Sequence, residues 1–415
     1  MLRWILGAIA AVVVLVVAGA TVAVVHIHAR QHQILGEAQA TADAMIQQFY
    51  DPSIGLLAND QGHTGQATSP NSLFTSLPFD ATAMWGYSWA LDALEQMAAL
   101  PGGSQYLPRV KTLVRNLSLY WDTKAPVPGY APMPNPGGGA NKFYDDNAWA
   151  GLDLVYAYRL TGNAADLGQA EAVFRYEETG WDTQGGGIYW NDQHQGRNTA
   201  ANAPTSELAS YLYIETHQAT YLQWAEKIYN WEVQTLVNPI TGEVYDGVSG
   251  SLAHAFFTYN QGDVIGAATL LYTITHNQSY LNQAKKTFGY LASQGVQSNG
   301  VLVPQAEFNG VLSDNLVLLY KADADPAIIN LLDTNAKAAW NDARNPKTGM
   351  IAANWNGPAP TAALQLLDET GAVRMFAADT ALHGIGPTVT RWLHRQKPCP
   401  EVTSLFQAVT ANCVS

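Results

Sequence analysis

The chain has 415 residues, 47% of them hydrophobic and only 13% charged, and carries a formal net charge of −13. Charged residues are about half as frequent as the ~25% usual in soluble domains, and an acidic surface attracts neither nucleic acid nor anionic membrane. No GxxxxGKS/T or GxGxxG stands between a strand and a helix, so phosphate binding also lacks a cradle.

After Met1-Leu2-Arg3, an uncharged apolar run extends from Trp4 to Val25. A membrane-spanning helix needs ~20 residues, whereas a secretory h-region usually has ~7–15. Ala18-Gly19-Ala20 offers a small-residue cleavage site. Residues 1–32 are read as a signal peptide or signal anchor, which places the remainder outside the cytoplasm, secreted or anchored to the outer face of the plasma membrane. His26, His28 and His32 follow directly on this run and are read as solvated juxtamembrane residues, not as a metal cluster.

Two kinds of helical pattern then alternate. Amphipathic helices are expected at 34–50, 105–121, 165–177, 219–235, 279–294 and 326–341. More apolar partners are expected at 83–98, 146–160, 205–215, 258–274, 308–321 and 360–378. Three segments repeat: LTGNAADLGQAEAVFRY from Leu160, ETHQATYLQWAEKIYNW from Glu215 and ITHNQSYLNQAKKTFGYL from Ile274. Each has a Thr followed by Gly or His, a polar turn, and a helix containing Ala and an aromatic ring. Thr161, Thr216 and Thr275 are 55 and 59 residues apart, a period of helical-hairpin arrays. Six apolar helices rich in Ala and aromatics suit closure into an all-α (α/α)6 barrel, from about 33 to 395. Long Gly-, Pro- and Asn-rich loops separate the hairpins, and loops of that length are commonly functional. Cys399 and Cys413 fall in a tail, 396–415. An even count in an exported chain predicts a disulfide there.

The stretch KFYDDNAWAGLDLVYAYRLTG, Lys142 to Gly162, opens a helix with two adjacent acids. Asp145, Asp146 and Asn147 could cap the first turn, where the macrodipole favours negative charge. Paired carboxylates also perform glycoside hydrolysis, held ~5–5.5 Å apart in retaining enzymes and ~6.5–9.5 Å apart in inverting ones. Adjacent residues have Cα atoms ~3.8 Å apart, which favours the shorter separation and retention. Two such close carboxylates do not both ionise readily, so one serves as the acid.

FYDDNAWAGLDLVYAYRLTG, the Gly-rich GGGIYW loop (Gly185 to Trp190) followed by Arg197-Asn198, and TYNQGDVIGA (Thr258 to Ala267) together resemble glycoside hydrolase family 76, the endo-α-1,6-mannanases. The resemblance covers most of the chain beyond the leader. It implies the same barrel, with Asp145 as nucleophile and Asp146 as general acid/base. Tyr144, Asn147, Tyr189, Trp190, Arg197, Asn198, Tyr259, Asn260 and Gln261 are expected to bind substrate. Residue by residue, other roles stand beside these: a cap or a carboxylate-orienting partner for Asn147, loop packing for Tyr189 and Trp190, and a cap for Tyr259, Asn260 and Gln261, the last a poor cap. Asn309 stands where the family usually has a basic residue, and Arg197 where Lys is common; the two cations are not interchangeable. Trp149, Trp224, Trp231 and Trp340 are read as core. Asp153 and Glu207 lie on candidate inner helices as weaker catalytic candidates, and His254 and His383 read as structural.

The expected function is retaining hydrolysis of α-1,6-linked mannan or a mannose-containing cell-wall glycan by a monomer, without metal or cofactor. A transglycosidase would use the same acids. A non-catalytic glycan-binding barrel, or an epimerase-like enzyme with inner-helix histidines, are the alternatives from other classes.

Overall fold

The computed structural model describes residues 29–61, 81–124, 127–134 and 138–383. The amino-terminal apolar run, both cysteines and the tail lie outside them. Among the described residues no helix is long and apolar enough to cross a membrane.

Twelve helices form among the described residues: α1 (29–49), α2 (Met84–Ala99), α3 (Leu107–Asn116), α4 (Tyr144–Thr161), α5 (Ala164–Thr179), α6 (Thr199–Thr216), α7 (Ala219–Leu236), α8 (Thr258–Thr275), α9 (Gln278–Gln294), α10 (Ala306–Asp323), α11 (Pro326–Ala338) and α12 (Leu366–Leu382). The even-numbered helices pack in sequence and α12 closes onto α2, giving an inner ring; the odd-numbered helices pack outside it. This is the expected (α/α)6 barrel. Inner helices are buried nearly all round, as in α8, where Asn260 to Leu271 are buried without interruption. Outer helices such as α9 bury one stripe, including Tyr280, Ala284 and Leu291, which is why only they show a 3.6-residue pattern. Backbones approach closely where α10 meets α12: a Cβ on Gly371 would lie 1.8 Å from the Ala306 carbonyl oxygen, so only glycine fits.

The repeated Thr-Gly/His pair is the inner-to-outer turn. Gly162, His217, His276 and Ala324 all adopt left-handed φ, at 76°, 58°, 58° and 54°, ending α4, α6, α8 and α10 with the cap of an αL motif. In three of them the Thr hydroxyl donates to the carbonyl four residues back and accepts from the N–H two residues on: Thr161 at 2.8 and 3.1 Å, Thr216 at 2.7 and 3.2 Å, Thr275 at 2.7 and 3.3 Å. Asn163 and Asn277 then cap the outer helices.

Two helix starts differ from expectation by six residues. α6 begins at Thr199 rather than 205, because Asn198 Oδ1 caps the Ala201 N–H at 3.2 Å and Pro204 is carried inside the helix. α12 begins at Leu366 rather than 360, where Gln365 and Asp368 form a capping box.

The long loops gather at the rim holding the inner-helix N-termini. There they form short antiparallel pairs: β1 (Tyr50–Asp51) with β2 (Leu56–Leu57), β3 (Trp121–Asp122) with β4 (Gly129–Tyr130), and β5 (Arg197–Asn198) with β6 (Gly247–Ser249), itself paired to β7 (Ser251–Ala253). Arg197 faces Val248 and Asn198 faces Gly247 in the β5–β6 register.

Candidate active site

At this rim the start of α4 meets the Gly-rich loop. Phe143 precedes the helix in extended conformation and provides no side-chain cap. It bridges to Asn191, and the Tyr144 N–H donates to the Trp190 carbonyl at 2.9 Å. This fixes Trp190 over the first turn of α4. Its indole Nε1–H donates to Asp145 Oδ2 at 2.9 Å, while Asp145 Oδ1 accepts the Asp146 N–H, also at 2.9 Å. Asp145 thus takes part of the capping role weighed from sequence and still opens to a cleft.

The cleft has a volume of about 390 Å³ and includes Asp145, Asp146, Trp190, Asn198 and Tyr259 among its lining residues. Burial is the main cause that raises both carboxyls. Asp145 stops at about 6, since the hydrogen bonds from the Asp146 backbone and Trp190 favour its ionised form. Asp146 is pushed well above the usual carboxylate range by burial and by the negative charge of Asp145. One acid is biased towards carboxylate and its neighbour towards the protonated form. Such a divergence is what two like groups need to act as base or nucleophile and as acid.

Five expected site residues stand elsewhere. Tyr144 is buried, stacked on Tyr176 with ring centroids 4.7 Å apart, its hydroxyl 3.1 Å from Thr179 Oγ1. Asn147 is fully buried and staples β4: it accepts the Tyr130 N–H at 2.6 Å and donates to the Tyr130 and Phe143 carbonyls at 2.9 and 2.8 Å. Gln261 does the same for Val244, at 3.1 and 2.9 Å. Arg197 braces the Gly-rich loop, donating to Asp182 Oδ2 at 3.1 Å and the Gly186 carbonyl at 2.8 Å. Tyr189 stacks on His194 at 4.5 Å, outside the lining. Asn260 is also buried but reaches the cleft through Asp246, to which it donates at 3.2 Å. The glycines serve packing: a Cβ on Gly186 or Gly187 would lie 2.5 Å from the Trp231 ring, so that loop rests on Trp231. Asn309 is buried too, accepting from the Thr258 hydroxyl at 2.8 Å.

Sequence reading missed most of the aromatic wall. Trp85, Trp89, Phe143, Trp149, Phe257 and Phe308 line the cleft, as does a third acid, Asp246. Trp85 and Phe308 lie nearly parallel, at 9° and 6.3 Å, and the Trp89 and Trp149 rings meet edge to face at 5.7 Å. Helical spacing held a clue for Trp149: it follows Asp145 by four residues and shares its face. Flat rings with no basic side chain in the lining suit sugar faces and stabilise developing positive charge. Asp153 and Glu207 lie below Trp149, away from this cleft.

Residues 33–386 match the model of glycosyl hydrolase family 76. The mannan endo-1,6-alpha-mannosidase DCW1 of Candida glabrata is 28% identical over 186 residues, 40% of this chain and 41% of that protein. Its Saccharomyces cerevisiae counterpart is 31% identical over 151 residues, 33% of each chain. The matched region therefore spans less than half the length of these relatives. Among solved structures, the family 76 mannosidase Bt3792 of Bacteroides thetaiotaomicron superposes with a TM-score of 0.77 at 23% identity, covering 84% of this chain and 98% of that one. An inactive variant of the α-1,6-mannanase of Salegentibacter sp. HEL1_6, with two consecutive aspartates replaced and α-1,6-mannotriose bound, gives 0.73 at 23% identity, covering 84% and 99%. At this identity the structures establish a shared fold, and the match over most of the chain settles its kinship: the protein belongs to glycosyl hydrolase family 76.

Proposed function

We propose that this protein is a retaining hydrolase of α-1,6-linked mannan. The observation that carries the reading is the unequal environment of two adjacent carboxyls at one cleft, Asp145 ionised more readily than Asp146. Asp145 attacks the anomeric carbon while Asp146 donates its proton to the leaving glycosidic oxygen. A covalent glycosyl-enzyme forms; Asp146, now a carboxylate, takes a proton from water, which attacks the same carbon and frees Asp145. The Trp190 indole N–H holds Asp145 in line, and the aromatic walls offer stacking faces to neighbouring sugars. The substrate assignment is supported by the names of the fungal relatives and of the mannotriose-bound neighbour. An α-mannan or mannose-containing cell-wall glycan outside the cytoplasm is the corresponding partner, in keeping with the apolar run from Trp4 to Val25.

Product analysis on linear α-1,6-mannan tests this, comparing wild type with Asp145→Asn and Asp146→Asn. Oligosaccharide release by wild type, lowered at least a thousandfold by either substitution, is expected. Mannan binding without release by folded wild type would replace the reading by a glycan-binding one.

A further inference from the structure

The barrel has two faces, and its first helix starts on the one opposite the cleft. Inner helices run away from the rim that holds Asp145 and Asp146, so the turns after α4, α6, α8 and α10 lie on the far face. α4 has 18 residues, and at ~1.5 Å per residue it sets these turns ~27 Å from the acid pair. α1 runs the other way. Its start is held on the far face, where Gln31 Nε2 donates at 2.8 Å to the carbonyl of His383, the residue that ends α12. Arg30 pairs with Asp333 of α11, also at 2.8 Å. Ile34, Ala38, Ala42, Met45 and Phe49 are buried, so α1 is packed into the barrel along its length and is not a hinged arm.

The apolar run from Trp4 to Val25 is separated from the start of α1 by His26-Ile27-His28 alone. Four peptide steps from Val25 to Ala29 span at most ~14 Å. The headgroup layer outside the hydrocarbon takes up ~5–8 Å of that reach. A barrel tethered so closely to a membrane span cannot clear the bilayer surface, and the face holding the start of α1 is the one that meets it. The chemistry of that face suits the contact. Gly162 to Ala165, His217 to Thr220 and His276 to Ser279 are exposed. These three turns contain no Asp, Glu, Lys or Arg, although the chain carries a formal net charge of −13. An acidic face would be repelled by anionic headgroups, whereas an uncharged polar one is not. The sequence after His383 carries Arg391, Arg395 and Lys397 against one acid, Glu401, a basic excess that anionic lipid attracts.

We propose that the far face of the barrel is a bilayer-contact surface and that the cleft opens away from the membrane. The partner is the phospholipid headgroup layer of the bilayer in which the Trp4–Val25 run sits. This orientation rests on the reading of that run as an uncleaved span and is independent of the mannanase reading. Held this way, the acid pair stands ~27 Å or more beyond the headgroups. The cleft then takes glycan that arrives from the side away from the membrane, and passes over sugars attached directly to lipid in the same leaflet.

The test uses the full, unsubstituted chain in vesicles of phosphatidylcholine and phosphatidylglycerol that contain a trace of lipid with a photoactivatable headgroup. Adducts are mapped by mass spectrometry, with the two faces of the same molecule as each other's control. Yield per residue over 162–165, 217–220 and 276–279 should exceed that over the exposed rim loops 183–185 and 239–241 by about fivefold or more, because the rim lies beyond the reach of the headgroup layer. Intact mass of the membrane fraction from an exporting host should include residues 1–28. An even spread of adducts, adducts concentrated on the rim, or a chain recovered in solution with its leader removed overturns the inference. Adducts on the far face from a chain that releases no oligosaccharide from mannan would uphold the orientation and overturn the mannanase reading alone.

Discussion

Replacing Trp190 by Phe keeps an aromatic surface at the cleft and removes one N–H, the donor to Asp145 Oδ2 at 2.9 Å. Hydrogen bonds to charged groups contribute ~1.5–3 kcal/mol. Trp190 is 39% exposed, so water takes over part of the lost contact and ~1 kcal/mol is the better figure. At 1.36 kcal/mol per pKa unit, that is a rise of roughly 0.5–1 unit. The sign follows from the form stabilised: the indole favours the carboxylate, so its removal raises the pKa above about 6. A nucleophile must be ionised, so the acidic limb of the kcat/KM profile on an α-1,6-mannooligosaccharide should move to higher pH by that amount. The limb reports the Asp145–Asp146 pair as a unit. A uniform drop in kcat/KM with an unmoved limb would refute the argument and leave Trp190 as a sugar platform alone.

Stability should fall as pH rises from about 5 to 8. Burial pushes Glu232 and Glu369 up to about 8 from an ordinary 4.5. Between those values the folded state binds more protons than the unfolded one, so their contribution is complete below the unfolded pKa and lost as pH rises through the folded value. A thermal midpoint that is flat or rises over this window would contradict it. Ala324 ends α10 with φ at 54°, a conformation that costs a side chain ~1–2 kcal/mol. Ala324→Gly should therefore stabilise by ~1 kcal/mol in chemical denaturation, and a loss of stability would mean that the methyl group packs better than the turn is strained.

The acid pair and the hairpin turns were legible in the sequence because both are local. Asp145 and Asp146 open a helix within one turn, and Thr161, Thr216 and Thr275 act on carbonyls and N–H groups within four residues of themselves. Inner-helix positions were also visible, as apolar stretches without a polar face. Residues such as Asn147, Gln261 and Arg197 were less legible. Each has the chemistry to bind a sugar, and each instead satisfies a loop backbone or acid at a distance of eleven to seventeen residues. A side-chain amide or guanidinium has the same donors whether a sugar or a buried peptide group faces it, and only packing decides between them.

Taken alone, the sequence determined the barrel, its hairpin count and the candidate acids, since periodicity, capping and adjacent carboxylates are encoded over a few residues, and its motifs carried the resemblance to the family. Tertiary structure decided which rings form the cleft, bringing Trp85 and Trp89 of α2 against Phe308 of α10. It also decided that Trp149 borders both the cleft and a second cavity lined by Asp153 and Glu207. Both depend on closure of the ring, which makes neighbours of helices more than two hundred residues apart, and no local pattern carries that information.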